Sequence, residues 1–382
     1  MGVTTRLEQL LAASRALKAA EAAQLSAVRQ LRAAGVSWSV IARYSGMLSK
    51  GAAFSKFTRL LEGPSPKVTR HPRPDQPRPE LPADPMHPLV LRGRAEELLR
   101  SLPDGMVDAA ITDPPFEIGL AEKKWDTSGV SYDAAVWSEL LRVVKPGGVL
   151  MCFTAPRTSH RVAGAIESAG WEIKDVVVVL RSHGVPKGDA LKPSHDQVVV
   201  ARRPLLGSTA LKLNVDSARI PTVESWERAP SNVGGKIGLR RAGGAASASH
   251  PDGRYPGNVV FEHQPDCEDA SCASGCMVAA LESQAAGASR FFYSARVARS
   301  ELPKTANGIE HLTVKTLSVM DWVIGLAVQA GQLIVDPFAG SGSTVESAMR
   351  LGVRAVAFEV DKSFIPLIEE RAARQHAGVP VQ

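Results

Sequence analysis

Hydrophobic and polar positions follow different periods in different parts of the chain. In residues 1–62, apolar residues recur every three or four positions, as in "LEQLLAASRALKAAEAAQLSAVRQLRAAG", which is the spacing of one helix face. In residues 88–205, short apolar runs such as "VDAAIT", "VLMCF" and "VVVVL" alternate with stretches of helical spacing. Because strands buried on both faces are apolar throughout, this alternation predicts a largely parallel α/β sheet that is closed by a hairpin.

The alternation stops and later resumes, which divides the chain into five predicted segments. Residues 206–305 are rich in Gly, Ser, Arg and Asn, and then "LIVDPFAGSGS", "TVESAMRLG", "RAVAFEVD" and "FIPLIEERAARQ" restore the strand–helix order. Prolines recur among basic residues before Pro88, which predicts an extended linker. The segments are a helical module (1–62), a Pro-rich linker (63–87), a first α/β half (88–205), an insertion (206–305) and a second α/β half (306–382).

The helical module ends in two short helices joined by a turn. Ser37 and Ser49 are suitable N-caps, and Gly46 between them suits the turn. This arrangement resembles a helix-turn-helix, whose second helix would contact DNA. A plain helical hairpin used for packing or dimerisation is the alternative, so a homodimer stays open.

Composition and charge narrow the class of protein. Of the 382 residues, 44% are hydrophobic and 22% are charged, as in ordinary globular proteins. No apolar run approaches the roughly 20 residues of a membrane span, and the N-terminal stretch lacks the features of a signal peptide. We therefore expect a cytoplasmic protein with no membrane partner. A net charge of +6 favours a polyanionic partner.

The tetrapeptide Asp113-Pro114-Pro115-Phe116 follows directly after the apolar run "VDAAIT". Proline fixes φ, lacks an amide hydrogen and pushes the residue before it into extended geometry. A rigid turn therefore presents a carboxylate, free carbonyl oxygens and an aromatic face at one spot. A strand followed by an ordinary proline turn is the other interpretation of this motif alone.

A second predicted strand, in "LIVDPFAGSGST", runs into a glycine turn and a helix. Gly340 and Gly342 allow the backbone to approach a ligand closely, and the helix start offers free amide hydrogens. Glu359 ends the next strand, where a carboxylate can accept both hydroxyls of a ribose. The chain lacks the Gly-Lys-Ser/Thr of a phosphate-binding loop, and Val345 replaces the third glycine of the dinucleotide fingerprint. The motif indicates an adenosine-type cofactor without saying which one.

Together, these motifs resemble those of the amino-methylating DNA methyltransferases. The resemblance also rests on "KKWD", "RVVKPGG", "LKPSHDQVVVARRPL" and "HLTVKTLSVMDWVI", and it covers residues 88–375. The catalytic motif precedes the cofactor motif, which is the order of the β group. The segments "RYPGNVVFEH" and "GASRFFYSARVARSE" are similar to those of phage and prophage members. The resemblance implies a site-specific DNA methyltransferase, of the kind found in restriction-modification systems, in a bacterial or phage-infected cell.

The family fold implied by this resemblance is a circularly permuted, Rossmann-like S-adenosylmethionine-dependent methyltransferase fold with a seven-stranded mixed sheet. The implied cofactor is S-adenosylmethionine, and the implied partner is double-stranded DNA. Asp113 and the Pro114 carbonyl would accept the N–H bonds of the target amine, and Phe116 would face a flipped base. The implied catalytic residues are Asp113, Pro114, Pro115 and Phe116, and the implied cofactor residues are Asp336, Phe338, Ala339, Gly340, Ser341, Gly342, Thr344 and Glu359, with Thr313 and Lys315 at the methionine end.

A few positions depart from the family pattern. Phe116 stands where tyrosine is commoner, Leu312 and Thr316 replace two prolines of the family's "HPTxKP" box, and Arg94 stands where an acid usually lies near the cofactor's adenine. An acid at the start of the catalytic motif favours adenine N6 as the target, since cytosine-N4 enzymes more often carry serine there. Cytosine N4 methylation and a catalytically weakened DNA-binding regulator are the alternatives.

The insertion between the two α/β halves is, in the family, the part that reads the DNA sequence. Some arginines in DNA-binding proteins form bidentate hydrogen bonds with guanine edges, while others bind backbone phosphates. The arginines that we expect to contact DNA are Arg219, Arg228, Arg240, Arg241 and Arg254.

A separate motif in the insertion consists of one histidine and three cysteines spaced as H-x3-C-x4-C-x3-C. Three thiolates and an imidazole suit tetrahedral zinc, which could order a region with few apolar residues. The spacings differ from the usual C-x2-C, and neighbouring acids could solvate the loop without metal. A structural zinc site is therefore a hypothesis, with His263, Cys267, Cys272 and Cys276 as its ligands.

Overall fold

The computed structural model describes residues 20, 23–24, 26–28, 30–31, 41, 79–119, 124–181, 191–205, 208, 210–222, 227–228, 247–268, 271–296 and 314–376. The chain separates into two compact units, Met1–Pro72 and Arg73–Gln382. The described residues of the first unit are helical, and Val28 and Ile41 among them are buried. Apart from Ile41, the predicted helix-turn-helix lies outside the described residues, as does most of the predicted linker.

Eleven strands are found in the described part of the second unit. They are β1 (Leu89–Arg92), β2 (Val107–Thr112), β3 (Val144–Thr154), β4 (Glu172–Arg181), β5 (His195–Arg202), β6 (Glu227–Arg228), β7 (Ser247–Ala248), β8 (Val259–Glu262), β9 (Tyr293–Ala295), β10 (Leu333–Asp336) and β11 (Arg354–Glu359). Strands β6 and β7 form a separate antiparallel ribbon. The other nine form one sheet in the order β1-β11-β10-β2-β3-β5-β4-β8-β9, in which β5 runs opposite to the rest.

The strand order shows the circular permutation. Strands β10 and β11 come last in the chain but lie between β1 and β2 in the sheet. The seven strands expected from the sequence, β1 to β5 with β10 and β11, are all present, which confirms the predicted permuted Rossmann-like fold. Strands β4 and β5 form the predicted hairpin. The insertion adds β8 beside β4 and β9 at the sheet edge, so part of residues 206–305 belongs to the sheet.

Seven α-helices in the described ranges accompany the sheet. They are α1 (Ala95–Ser101), α2 (Ala134–Val143), α3 (Ser159–Ser168), α4 (Met277–Gln284), α5 (Leu317–Ala327), α6 (Ser343–Arg350) and α7 (Ile365–His376). Successive residues of a strand point to opposite faces, so Leu150 and Cys152 pack with α1, α2 and α3, while Met151 and Phe153 pack with α5. Both faces of the central strands are therefore buried. None of these helices is long and apolar enough to cross a membrane.

Candidate active site

The two predicted motifs lie on neighbouring strands at the carboxyl edge of the sheet. Asp336 is the last residue of β10, and Asp113 follows the end of β2, its parallel neighbour. From these strands the chain proceeds in opposite directions across the sheet, to β11 and to β3, so the motifs meet at a topological switch point. Open α/β sheets bind ligands in the crevice at such a point.

A cavity of about 300 Å³ occupies this crevice, and both motifs line it. The predicted residues on its wall are Asp113, Pro114, Pro115, Phe116, Lys315, Asp336, Phe338, Ala339, Gly340, Ser341, Thr344 and Glu359. Of the other two predicted residues, Gly342 does not line the cavity, and Thr313 lies outside the described residues. A single cavity can therefore hold a cofactor and a reacting group together.

The two carboxylate oxygens of Asp113 have different surroundings. Oδ2 accepts a hydrogen bond of 2.6 Å from the Lys315 ammonium group. Oδ1 is buried and has no hydrogen-bond partner in the part of the chain that the structure describes. Burial raises the pKa of Asp113 above its ordinary value, and the nearby ammonium group opposes that shift. Because a buried acceptor without a donor is costly, Oδ1 is available to a ligand.

The carbonyl groups of the same tetrapeptide also differ in whether they accept a hydrogen bond. The Pro115 carbonyl accepts from Ser131 Oγ at 2.5 Å, and the Phe116 carbonyl accepts from Thr158 Oγ1 at 2.8 Å. The Pro114 carbonyl has no donor among the described residues. Two hydroxyl groups thus hold the turn. The Pro114 oxygen, like the carboxylate Oδ1 of Asp113, accepts no hydrogen bond from the residues that the structure describes. Sequence reasoning missed both hydroxyl groups because they lie 16 and 42 residues away with no motif to mark them.

Asp126, in the "KKWD" segment, closes the loop that follows the tetrapeptide. Its buried carboxylate accepts the backbone amides of Glu117 at 2.8 Å and Ile118 at 3.2 Å. Glu117 has a φ of +55°, which non-glycine residues seldom adopt, and these hydrogen bonds hold it there. Trp125 beside Asp126 lines the cavity. The segment therefore shapes one side of the cavity wall.

Lys315 connects the tetrapeptide to a second acid. Its Nζ lies 3.9 Å from Asp196 Oδ2, and Asp196 accepts a hydrogen bond of 2.8 Å from Arg181. The same ammonium group lies 4.8 Å from the centre of the Phe116 ring. The family resemblance places this lysine at the methionine end of the cofactor, whereas the structure places it against Asp113. Since both motifs line one cavity, contact between Lys315 and the cofactor stays a prediction.

Asp336 joins the two strands that carry the motifs. Its Oδ1 accepts from Thr112 Oγ1 at 2.7 Å and from the Phe338 amide at 3.0 Å. Burial raises the pKa of Asp336 to about 6, although these hydrogen bonds favour the ionised form. The end of β10 is thereby held against the end of β2, next to the catalytic motif.

Glu359, at the end of β11, orders the glycine turn. Its Oε2 accepts the Gly340 amide at 2.7 Å, and its Oε1 accepts the Asp361 amide at 2.7 Å. Burial raises the pKa of Glu359 to about 7. Each oxygen has a second lone pair. The predicted contacts with ribose hydroxyls would use those remaining lone pairs.

Gly342 has a role that differs from the expected one. Its φ is +85°, and a Cβ placed on it would lie 3.0 Å from the Cα of Ile368 in α7. The residue is therefore needed for a left-handed turn packed against a helix, and it does not provide space inside the cavity.

Arg94, which replaces an acid of the family pattern, lies beside the acid Glu96 on the cavity wall. Arg94 caps α1 and pairs with Glu96 at 2.5 Å, and both residues line the cavity. Arg94 thus replaces the acid that the family usually has at this position, and the chain places an acid, Glu96, two residues later. Sequence reasoning missed Glu96 because it belongs to an ordinary acidic first turn of a helix.

The four predicted metal ligands lie together, away from this cavity. His263 directly follows β8, and Cys276 directly precedes α4. The donor atoms of the four residues all lie within 4.8 Å of one another. None of the four lines the cavity formed by the two motifs.

Comparison with protein families gives one clear match. Residues 107–370 match the model of a DNA methylase family whose members modify N6 or N4 positions. The type II methyltransferase M.BamHI of Bacillus amyloliquefaciens is 22% identical over 288 residues, which cover 74% of this chain and 56% of that protein. The type II methyltransferase M.HpaI of Haemophilus parainfluenzae is 20% identical over 299 residues, covering 76% of this chain and 75% of that protein. The chain thus spans little more than half the length of the first relative.

Two solved structures that are similar to this chain are a DNA methyltransferase and a protein bound to SAM. PvuII DNA methyltransferase, described as cytosine-N4-specific, is 13% identical with a TM-score of 0.47, covering 76% of this chain and 90% of that chain. A complex of M1.HpyAVI with SAM is 15% identical with a TM-score of 0.41, covering 75% of this chain and all of that chain.

Proposed function

The chain belongs to the N6/N4 DNA methylase family, and from this membership we propose that it transfers a methyl group from S-adenosylmethionine to an exocyclic base amine in double-stranded DNA. We propose adenine N6 as the acceptor, with the base flipped out of the duplex. The observation that carries the proposal is a pair of acceptors, Asp113 Oδ1 and the Pro114 carbonyl, for which the described residues offer no donor. Both residues line the cavity that the glycine turn also lines.

The two acceptors match the needs of an exocyclic amine. Such a nitrogen is a poor nucleophile because its lone pair is delocalised into the ring, and it carries two N–H bonds. Asp113 Oδ1 and the Pro114 oxygen would accept one N–H bond each, which holds the nitrogen closer to tetrahedral geometry and frees its lone pair. The nitrogen would form a bond to the methyl carbon as the carbon–sulfur bond of S-adenosylmethionine breaks, which leaves a neutral thioether. The Asp113 carboxylate would stabilise the positive charge on the nitrogen, and the surplus proton would pass to that carboxylate and on to solvent.

The residues around the glycine turn suit the cofactor. S-adenosylmethionine, when bound, supplies a methyl group on a positively charged sulfur. Gly340, with a φ of +53°, lets the backbone approach a ligand closely, and Glu359 offers acceptors for ribose hydroxyls. Trp125 and Phe338 add aromatic surface to the same wall. The chain's own residues can therefore bind and orient both reactants in one cavity.

Phe116 and Asp113 support the choice of base. Phe116 on the cavity wall offers a face on which a flipped base can stack. An acid at the first position of the tetrapeptide favours adenine, since the cytosine-N4 enzymes that the sequence resembles more often carry serine there.

The direct test is transfer of a labelled methyl group from S-adenosylmethionine to duplex DNA of mixed sequence by the full chain. Digestion of the DNA and mass spectrometry of the nucleosides should detect labelled N6-methyl-2′-deoxyadenosine. Labelled N4-methylcytosine would keep the reaction class and overturn the adenine assignment. Cofactor binding without any labelled nucleoside would overturn the enzymatic proposal and favour a DNA-binding regulator.

Replacement of the acid tests its role directly. Asp113→Ala should lower the transfer rate by at least about 100-fold, because one of the two acceptors that stabilise the developing charge is lost. Cofactor affinity, measured by calorimetry, should stay close to that of the unmodified chain. Asp175→Ala, at an exposed acid on β4, is the control and should change neither quantity. Loss of cofactor binding in Asp113→Ala would mean that this acid belongs to the cofactor site.

A further inference from the structure

The insertion brings four soft ligand atoms into one small volume. His263 Nδ1 lies 3.5 Å from Cys272 Sγ and 3.6 Å from Cys276 Sγ, and Cys267 Sγ completes a set within 4.8 Å. Zinc–sulfur bonds of about 2.3 Å and zinc–nitrogen bonds of about 2.0 Å place the ligand atoms of a tetrahedral site about 3.5–3.8 Å apart. The spacing of the four atoms is close to that requirement.

Two of the four ligands are attached to secondary-structure elements through the backbone. The His263 amide donates to the Ala295 carbonyl of β9 at 2.9 Å, and Cys276 is the N-cap residue of α4. Cys267 accepts from the Ala273 amide at 3.3 Å, which ties the intervening loop to the same centre. The ligand set therefore joins a strand edge, a helix start and the loop between them.

A disulfide does not account for the cluster. All three cysteines are free thiols in this structure, and a disulfide would use two of them while leaving one thiol beside an imidazole. Three thiolates and one imidazole, in contrast, fill all four positions of a tetrahedral ion. We propose that His263, Cys267, Cys272 and Cys276 bind one structural Zn²⁺ ion that anchors β8, β9 and α4 at the edge of the sheet.

The proposed ion also lies next to residues that reach the active site. Glu262, directly before His263, is buried and accepts a hydrogen bond of 2.8 Å from Thr316 Oγ1. Thr316 directly follows Lys315, which binds the Asp113 carboxylate. Loss of the ion should therefore lower methyl transfer as well as stability. The expected loss of methyl transfer rests on the proposed function, whereas the expected zinc content is independent of it.

The test measures metal directly in the full chain, purified without chelators from zinc-supplemented cells. Elemental analysis should find one zinc ion per chain. Cobalt exchanged into the protein should give the visible absorption of tetrahedral cobalt with thiolate ligands. Thermal unfolding after removal of zinc by a chelator should begin at a lower temperature and recover when zinc is restored.

Two cysteine variants distinguish the loss of a proposed zinc ligand from the loss of any cysteine. Cys272→Ser removes an exposed ligand and should lose most of the zinc while keeping the circular dichroism of a folded chain. Cys152→Ala, at the free cysteine buried in β3, should keep one zinc ion per chain. Full zinc content in Cys272→Ser would overturn the proposal. The absence of zinc from the unmodified chain, or iron in its place, would also overturn it.

Discussion

At the scale of single residues, Asp113 depends on its neighbour Lys315. In our proposal the target amine needs an ionised acceptor, but burial favours the protonated carboxyl group of Asp113 and raises its pKa. The ammonium group, 2.6 Å from Oδ2, opposes this effect and fixes the orientation of the carboxylate. Lys315 therefore acts, in our proposal, as a positioning residue for Asp113.

Replacement of this lysine by an uncharged side chain of similar length gives a prediction about pH. In Lys315→Met the pKa of Asp113 should rise further, because the opposing charge is gone. The acid limb of the kcat–pH profile should move to higher pH, and Lys315→Arg, which keeps the charge, should move it much less. If cofactor affinity falls while the acid limb stays unchanged, Lys315 belongs to the cofactor site that the family resemblance implies.

The raised pKa of Glu359 predicts a pH dependence for cofactor binding. Ribose hydroxyls donate best to an ionised carboxylate, so affinity should rise between about pH 6 and pH 8, as Glu359 ionises through its pKa of about 7. In Glu359→Gln, calorimetry should show weaker binding and a loss of this rise. Asp336, with a pKa of about 6, would account for any dependence that remains at lower pH.

The same group has the opposite effect on the stability of the cofactor-free protein. The folded carboxyl group binds its proton up to about pH 7, whereas an unfolded glutamate releases its proton near 4.5. The contribution of this group is complete below 4.5 and is lost as the pH rises through about 7. Urea unfolding of Glu359→Gln should lack this decline.

At the scale of elements, the glycine turn is supported by the helix behind it. Helices α6 and α7 are joined by a buried ion pair between Glu346 and Arg371. Gly342, which begins α6, packs against Ile368 of α7. If the turn binds the cofactor as we propose, stability and cofactor binding should be coupled through the packing of α7 against the turn.

A pair of alanine substitutions tests that coupling. Gly105→Ala, at a positive φ with open space around it, should cost about 1–2 kcal/mol from backbone strain alone. Gly342→Ala adds a close contact with the α7 backbone and should cost about 1–3 kcal/mol more. Cofactor binding should weaken in Gly342→Ala and not in Gly105→Ala. Equal urea midpoints for the two variants would show that α7 does not restrain the turn.

At the scale of the whole molecule, the insertion combines parts of the sheet with parts that lie outside it. Strands β8 and β9 extend the sheet, so they support the catalytic unit. Arg219, one of the arginines expected to contact DNA, pairs with Asp216 at 2.7 Å and stacks on Tyr255 at 4.3 Å. Its side chain is only 6% exposed, because its guanidinium group contacts other residues of this chain. Arg254 stacks on the Phe291 ring at 4.5 Å, and Arg240 and Arg241 lie outside the described residues.

The part of the insertion before β8 is the remaining candidate for sequence recognition. Exchanging residues 206–258 with those of a relative should move the methylated sequence and leave the type of modified base unchanged, since the catalytic sheet stays intact. Deleting residues 1–85 should lower DNA affinity and reduce its salt dependence through lost phosphate contacts. Long-read mapping of modified bases measures both variants. A methylated sequence that follows the deletion, and not the exchange, would assign recognition to the helical module.

Seven strands of the sheet and both motifs of the candidate site follow from the sequence alone, whereas β8 and β9 of the insertion do not. The seven expected strands could be predicted because strands buried on both faces need apolar runs, and this requirement acts locally along the chain. The rigid tetrapeptide after β2 and the glycine turn after β10 could be recognised for the same reason, since proline and glycine restrict or free the backbone at their own positions. The H-x3-C-x4-C-x3-C motif was visible as a pattern of ligand types.

Which of these residues come into contact depends on the tertiary structure. The strand order places Asp113 beside Lys315, 202 positions later. It also gives some acceptors of the tetrapeptide a donor and leaves others with none among the described residues. The same packing turns Gly342 toward Ile368 and commits Arg219 to contacts inside the protein. Local sequence constrains the backbone within a few residues, whereas these partners are set by the order of strands and the packing of helices on them, which depends on the whole chain at once.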